Sequence, residues 1–214
     1  MGRRALPKID PAVDLSRHLL TVAELADAPW DPVALFGRAA PLEIELGSGK
    51  GLFLQNAALT FPERDFLGIE LAVRYARYCA YRLAKNGIAN ARAVQGDGLR
   101  LFRQGIPADS LAAVHVYFPD PWWKARHHKR RVMNEAFLAD VVRTLHSGGR
   151  LHFWTDVQAY FDASLELIAA KTPLVGPLEP PERPAEHDLD YRTHFERRTR
   201  LGGQPVYRAQ YAKA

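Results

Sequence analysis

The chain has 214 residues, 47% hydrophobic and 25% charged, enough to bury one full core and to argue for a single globular domain with extensions. Its one cysteine, Cys79, can form neither an internal disulfide nor a thiolate metal cluster, so a reducing, cytoplasmic setting without a bound metal is expected; no apolar run approaches the ~20 residues that span a bilayer, and Met1-Gly2-Arg3-Arg4 has neither a following apolar segment nor a Ser or Thr at position 6, so neither secretion nor lipidation is expected. The formal charge is +5, and the window Lys124 to Arg131 holds five Lys or Arg and no acid, so the rest of the chain sums to zero and the basic character is local.

Residues 1–38 read as an irregular arm, interrupted by Pro7, Pro11, Pro29 and Pro32, with room for one short helix between Asp14 and Ala26. Arg3, Arg4, Lys8 and Arg17 could touch an RNA backbone, although an ordinary surface arm fits them better. Residues 39–214 form the main domain. Leu42 to Leu46 alternates as a strand, then gives way to Gly47-Ser48-Gly49-Lys50-Gly51 and an apolar helical stretch, Leu52 to Leu59. A strand, a glycine turn and a helix start make a cradle, because glycine lets backbone approach a ligand and the free helix amides face it. The turn is not a P-loop, since Gly51 follows Lys50, and its third glycine comes one residue early for the dinucleotide fingerprint. Asp65 to Glu70 reads as a second strand ending in an acid, the position where such folds bind ribose hydroxyls.

Leu71 to Asn86 reads as a helix stopped at Gly87, with Val73, Ala76, Ala80 and Leu83 facing inward, Arg74, Arg77 and Lys85 facing solvent, and Cys79 at the core edge. The strand Ala91 to Gln95 leads to Gly96-Asp97-Gly98, where Asp97 suits either an adenine amino group or a simple turn. Leu111 to Tyr117 reads as a buried strand, so Asp120 emerges at its carboxyl end, followed by Trp122, Trp123 and the cationic window. A carboxylate, two indoles and a basic strip suit a site that holds a nucleobase while gripping phosphates; a strand end and a solvated loop is the plainer alternative. Asn134 to Leu145 reads as a helix closed by Gly148-Gly149, and Arg150 to Thr155 as a strand ending at Asp156.

Beyond a helix at Ala159 to Ala170 lies a long loop with Pro173, Pro177, Pro180, Pro181 and Pro184, of a length that suits a mobile or substrate-ordered segment. Tyr191 to Arg198 follows, with capping-box spacing at Thr193 and Glu196, and Pro205 to Tyr211 closes the chain as a strand. Four successive strands thus end in Glu70, Asp97, Asp120 and Asp156. Strand and helix alternation with this acidic rim argues for a doubly wound, mostly parallel α/β sheet. A nicotinamide dehydrogenase would share that sheet but not the glycine spacing, and a non-catalytic RNA-binding module would have no use for the rim.

Taken in order, Glu45-Leu46-Gly47-Ser48-Gly49-Lys50-Gly51, Gly68-Ile69-Glu70, Phe118-Pro119-Asp120-Pro121-Trp122 with Lys124, Arg126-His127-His128-Lys129-Arg130-Arg131, Thr155-Asp156 and Thr193-His194-Phe195-Glu196 resemble the bacterial tRNA (guanine-N7)-methyltransferases over roughly residues 41 to 213. The resemblance implies a Rossmann-like class I fold that uses S-adenosylmethionine to methylate guanine 46 in the tRNA variable loop. It implies that Glu45, Glu70, Asp97 and Asp120 line the methyl-donor site, with Gly47, Gly49 and Gly51 as the cradle. Lys124, Asp156, Thr193, His194, Phe195 and Glu196 would meet the substrate guanosine. Asp120 is the catalytic candidate, and the charges of Arg126, Lys129, Arg130 and Arg131 suit the RNA backbone. The chain departs from the family at His194, where Lys is usual, and at Trp123, where His or Pro is common. A monomer and a homodimer both remain open, as does a methyltransferase acting on another RNA or a small molecule.

Overall fold

Short strands rich in Ile, Leu, Val and Ala that are buried on both faces call for a sheet covered by helices on either side. The computed structural model, which describes residues 6–179 and 192–214, has that architecture. Its strands are β1 (Leu19–Thr21), β2 (Leu42–Leu46), β3 (Asp65–Glu70), β4 (Ala91–Gln95), β5 (Leu111–Tyr117), β6 (Leu145–Thr155), β7 (Val175–Leu178) and β8 (Tyr207–Ala212). They form one sheet in the order β1-β4-β3-β2-β5-β6-β8-β7. Neighbours from β1 through β6 are parallel, and β8 runs antiparallel to both β6 and β7.

The helices are α1 (Val22–Ala26), α2 (Pro32–Phe36), α3 (Leu52–Thr60), α4 (Val73–Lys85), α5 (Gly98–Gln104), α6 (Glu135–Thr144), α7 (Gln158–Lys171) and α8 (His194–Leu201), with a 3-10 turn at Ala125–Arg130. Helices α3 and α4 pack Phe53, Leu54, Cys79, Ala80 and Leu83 against one face of the sheet. The other face is covered by α1, α5, α6 and α7 through Leu25, Phe102, Phe137 and Tyr160 among others. Because β2 lies between β3 and β5, the winding reverses there. That reversal opens a crevice beyond the carboxyl ends of β2 and β5.

Several elements differ from the reading of the sequence. The arm is not irregular: Leu19–Thr21 pairs with Ala93–Gln95 and extends the sheet, Thr21 caps α1 through a capping box, and Asp31 caps α2 with Pro32 in its first turn. Helix α6 ends at Thr144 and β6 begins at Leu145, so Gly148 and Gly149 do not stop the helix. They sit in a bulge, between the Leu111–Leu145 and Ala113–Arg150 pairings. Part of the proline-rich loop is strand β7, which contains Pro177; the remainder of that loop, with Pro180, Pro181 and Pro184, lies outside the described residues, as do Arg3, Arg4 and Tyr191. Val73 is exposed rather than inward, and Cys79 is fully buried rather than at the core edge.

Below the crevice, toward the amino ends of β2, β5 and β6, the α3 face carries a buried polar layer. His115 meets a Glu43 carboxylate oxygen at 2.8 Å through Nε2 and the Tyr117 hydroxyl at 2.8 Å through Nδ1. A carboxylate only accepts, so Nε2 carries the ring proton and Nδ1 accepts from Tyr117. Arg64 donates to the other Glu43 oxygen at 2.6 Å, and His152 stacks on His115 with centroids 4.6 Å apart. Burial pushes both histidines down, His152 well below its ordinary value. Glu43 is held below the usual carboxylate range because, against burial, His115 and Arg64 both favour its ionised form.

Candidate active site

The glycine turn is built as a cradle. Gly47, Gly49 and Gly51 take φ of 87°, 54° and 71°, the left-handed region where a side chain is strained. A Cβ at Gly47 or Gly49 would meet nothing within 4 Å, so those two line open space, whereas one at Gly51 would collide with the Cys79 sulfur. Gly51 is therefore needed for packing of the turn on α4, and Gly47 and Gly49 for conformation and approach. The turn is tied to β3: the amides of Gly47 and Ser48 donate to the Ile69 carbonyl at 2.8 and 3.0 Å.

The acids on the donor side fall into two kinds. Glu70 accepts from the Gly49 amide at 2.9 Å and from the Ala72 amide at 2.8 Å, one bond to each oxygen, which fixes its carboxylate beside the turn with lone pairs to spare. Asp97 is exposed and caps α5 by accepting from the Leu99 amide at 3.0 Å, leaving one oxygen for a ligand. Glu45 is only 2% exposed, and one of its oxygens is buried without a partner. Burial, reinforced by the charge of Glu70, pushes its carboxyl well above the ordinary range. A half-buried ribose-type acid, an exposed second acid one strand over and an orphaned carboxylate oxygen fit a polar, cationic small molecule along this edge. Leu71, directly after Glu70 and 71% exposed, adds apolar surface for a flat ring; nothing in its helical spacing pointed to it.

Asp120 stands at the end of β5 in an unusual backbone. Phe118 and Trp122 have φ of 50° and 47°, and left-handed conformations of this kind at bulky residues cost on the order of 1–3 kcal/mol each. Surrounding contacts hold them. The Phe118 amide donates to the Trp154 carbonyl at 2.8 Å and its ring lies 4.9 Å from that of Phe195; the Arg131 guanidinium donates to the Pro121 carbonyl at 2.8 Å. Asp120 itself is exposed, and with Pro121, Trp122, Trp123, Lys124 and His127 it lines an open cavity of about 280 Å³.

The 3-10 turn that follows presents Arg126, Lys129 and Arg130 to solvent. Arg131 is half-buried and turned inward, its guanidinium 4.6 Å from the Tyr160 ring centre, so it fastens the strip as well as charging it. Asp156 is half-buried at the end of β6, next to β5. Thr193 caps α8 by accepting from the Glu196 amide at 3.0 Å. Glu196 is buried, accepting from the Arg192 amide at 2.7 Å and from Arg200 at 2.9 Å, which makes it a holder of this segment. His194 is exposed and within 3.0 Å of Arg82 on α4, and Phe195 reaches Phe118. Helix α8 is thereby brought to the Asp120 segment. Glu70, Asp97, Asp120 and Asp156 share one edge of the sheet because the registers set Leu46, Ile69, Val94, Val116 and Phe153 level with one another.

Comparison with known proteins bears on the fold and the family. Residues 39–209 match the family described as "Putative methyltransferase". A tRNA (guanine-N(7)-)-methyltransferase of Rhodopirellula baltica is 50% identical over 219 residues, spanning 100% of this chain and 80% of that one. One from Sodalis glossinidius is 38% identical over 86% of this chain and 77% of its own. Among solved structures, a SAM-dependent O-methyltransferase from Thermotoga maritima superposes with a TM-score of 0.54 at 15% identity, over 85% of this chain and 63% of that one. A tRNA (m1A58) methyltransferase from Aquifex aeolicus gives 0.52 at 18% identity, over 81% and 62%. The sheet order and these structural likenesses give the chain a class I, Rossmann-like fold, and the family match over residues 39–209 makes it a methyltransferase, with S-adenosylmethionine as the methyl donor. Within that class the relatives resolve the family further. The chain belongs to the tRNA (guanine-N7)-methyltransferases.

Proposed function

We propose that this protein methylates N7 of guanine 46 in the variable loop of tRNA, working in the cytoplasm. One observation supports the reading: a strained Pro-Asp-Pro-Trp segment carries an exposed carboxylate at the end of β5, next to β2 and its glycine turn, and continues without a break into a basic strip. Bound S-adenosylmethionine supplies an electrophilic methyl group on a cationic sulfonium. Gly47 and Gly49 admit the donor, Glu70 accepts its ribose hydroxyls, Asp97 accepts from its adenine amino group, and Glu45 offers a buried carboxylate to its positive charge.

Guanine N7 bears an in-plane lone pair and no proton, so no general base is required. Methylation leaves the ring positively charged. Asp120 supplies negative charge where that charge develops, or holds the guanine edge, and positioning of acceptor against donor lowers the barrier further, by about 7–11 kcal/mol in well-oriented systems. Lys124, Asp156 and the Thr193 to Glu196 segment bound the nucleoside, while Arg126, Lys129 and Arg130 take phosphates.

The test is methyl transfer from labelled S-adenosylmethionine to an unmodified tRNA transcript with guanine at position 46, against one with adenine there. Transfer to the first alone, as 7-methylguanosine, is expected. Transfer to both, or to neither despite donor binding, rejects position 46. Replacing Asp120 with Asn should lower kcat at least ~100-fold, the scale of losing one preorganised electrostatic group, with donor affinity less affected; near-full turnover would remove Asp120 from the chemistry.

A further inference from the structure

The two adjacent indoles of the Asp120 segment are placed differently. Trp122 is already engaged: the Arg130 guanidinium lies over its ring at 5.0 Å, and His127 meets it edge-on at 5.9 Å. Trp123 is 74% exposed, and among the described residues no side chain pairs with its ring or its indole N–H. Its indole is left to solvent while several neighbours along the chain fix the loop that carries it. Pro119 and Pro121 restrict the backbone, Trp122 is held left-handed, and Arg131 grips the Pro121 carbonyl. Trp123 is thus presented from a braced loop, on the wall of the cavity it shares with Asp120 and Lys124, at the head of the basic strip.

Resting on the function proposed above, we infer that Trp123 stacks on the acceptor guanine and that its attraction to the base grows as the methyl group arrives. Stacking on an exposed aromatic side chain is the sequence-tolerant way to hold a nucleobase drawn out of its own stack. The reaction turns a neutral purine into a cationic one, and the face of an indole is the best side-chain surface for a cation. An interaction that is stronger for the charged ring than for the neutral one favours the transition state over the ground state. Trp123 therefore does more than add affinity. It cooperates with Asp120 from a different direction, one through the ring face and the other through negative charge at the rim.

The experiment compares wild type, Trp123→Ala and Trp123→Phe, with folding checked by thermal melting, since an exposed side chain is expected to leave the melt unchanged. Activity of the wild type on the guanine-46 transcript comes first; its absence would reject the proposed function and not this inference. Given that activity, affinities for the unmodified transcript and for the same transcript carrying 7-methylguanosine are measured for each variant. Trp123→Ala should lose on the order of tenfold in kcat/KM, and its preference for methylated over unmethylated tRNA should fall by a similar factor relative to wild type, with Trp123→Phe between. The dependence of tRNA binding on salt should keep its slope, because every cation that meets a phosphate is still in place. An unchanged methylated-to-unmethylated ratio in Trp123→Ala, or unchanged kcat/KM, overturns the stacking assignment. A reduced salt slope would instead show that the substitution acted by disturbing the basic strip, and would overturn it equally.

Discussion

Glu45 illustrates how a single side chain can work against the fold that holds it. Its carboxyl is buried with one oxygen unsatisfied, and burial together with Glu70 raises its affinity for a proton. The folded state therefore binds that proton more tightly than the unfolded chain, and stability falls as pH rises from the ordinary value of 4.5 toward neutrality. Glu45→Gln should melt higher than wild type at neutral pH, with the gain shrinking as the pH is lowered, while donor affinity measured by calorimetry falls. A variant equally stable at all pH values would mean that Glu45 is solvated. The acids of the rim were legible one by one in the sequence, since each follows an apolar run and a strand end is where charge first becomes tolerable. The left-handed turns at Phe118 and Trp122 were not, because aromatic residues carry no propensity for that conformation and only the surrounding contacts impose it.

At the scale of elements, the layer under α3 couples three strands through ionisable groups. His115 on β5 and His152 on β6 stack as neutral rings, faced by Glu43 from β2, Tyr117, Arg64, Arg150 and Arg192. In the unfolded chain both titrate near 6.5, whereas the folded protein resists protonating either. The unfolded state then binds more protons below that value, so stability present above it is lost as pH falls. His152→Phe preserves a ring on His115 and removes one of the two groups, so its melting temperature should decline less steeply than wild type between about pH 7 and pH 5.5. An equally steep decline would place the acid sensitivity elsewhere. Strands β2 to β6 and the long helices were legible because their apolar spacing is set by burial on two faces. β1 has three residues and β7 contains a Gly-Pro pair, and both exist because a neighbouring strand offers an edge, which no local pattern encodes.

Over the whole molecule, charge and mechanics meet in the basic strip. Lys129 and Arg130 are exposed, whereas Arg131 both carries charge and anchors Pro121. The double variant Lys129→Ala, Arg130→Ala should weaken tRNA binding across sequences and reduce the salt slope by roughly one for each phosphate no longer neutralised, with donor affinity retained. Equal loss of donor and tRNA binding would make the strip structural. On one side the sheet ends in the arm, where the three-residue β1 covers the β4 edge and leaves only a short edge strand in its place. The close seat of Gly51 on Cys79 has a use of its own. The thiol is wholly buried directly beneath the turn, so a thiol reagent reaches it only through an opening of the fold, of which lifting of the turn from α4 is the most local. When reclosing outpaces modification, the rate at which such a reagent modifies the protein reads the population of opened molecules, and a ligand that seats on the turn should slow it, a reporter of local breathing that the chain carries without any engineered label.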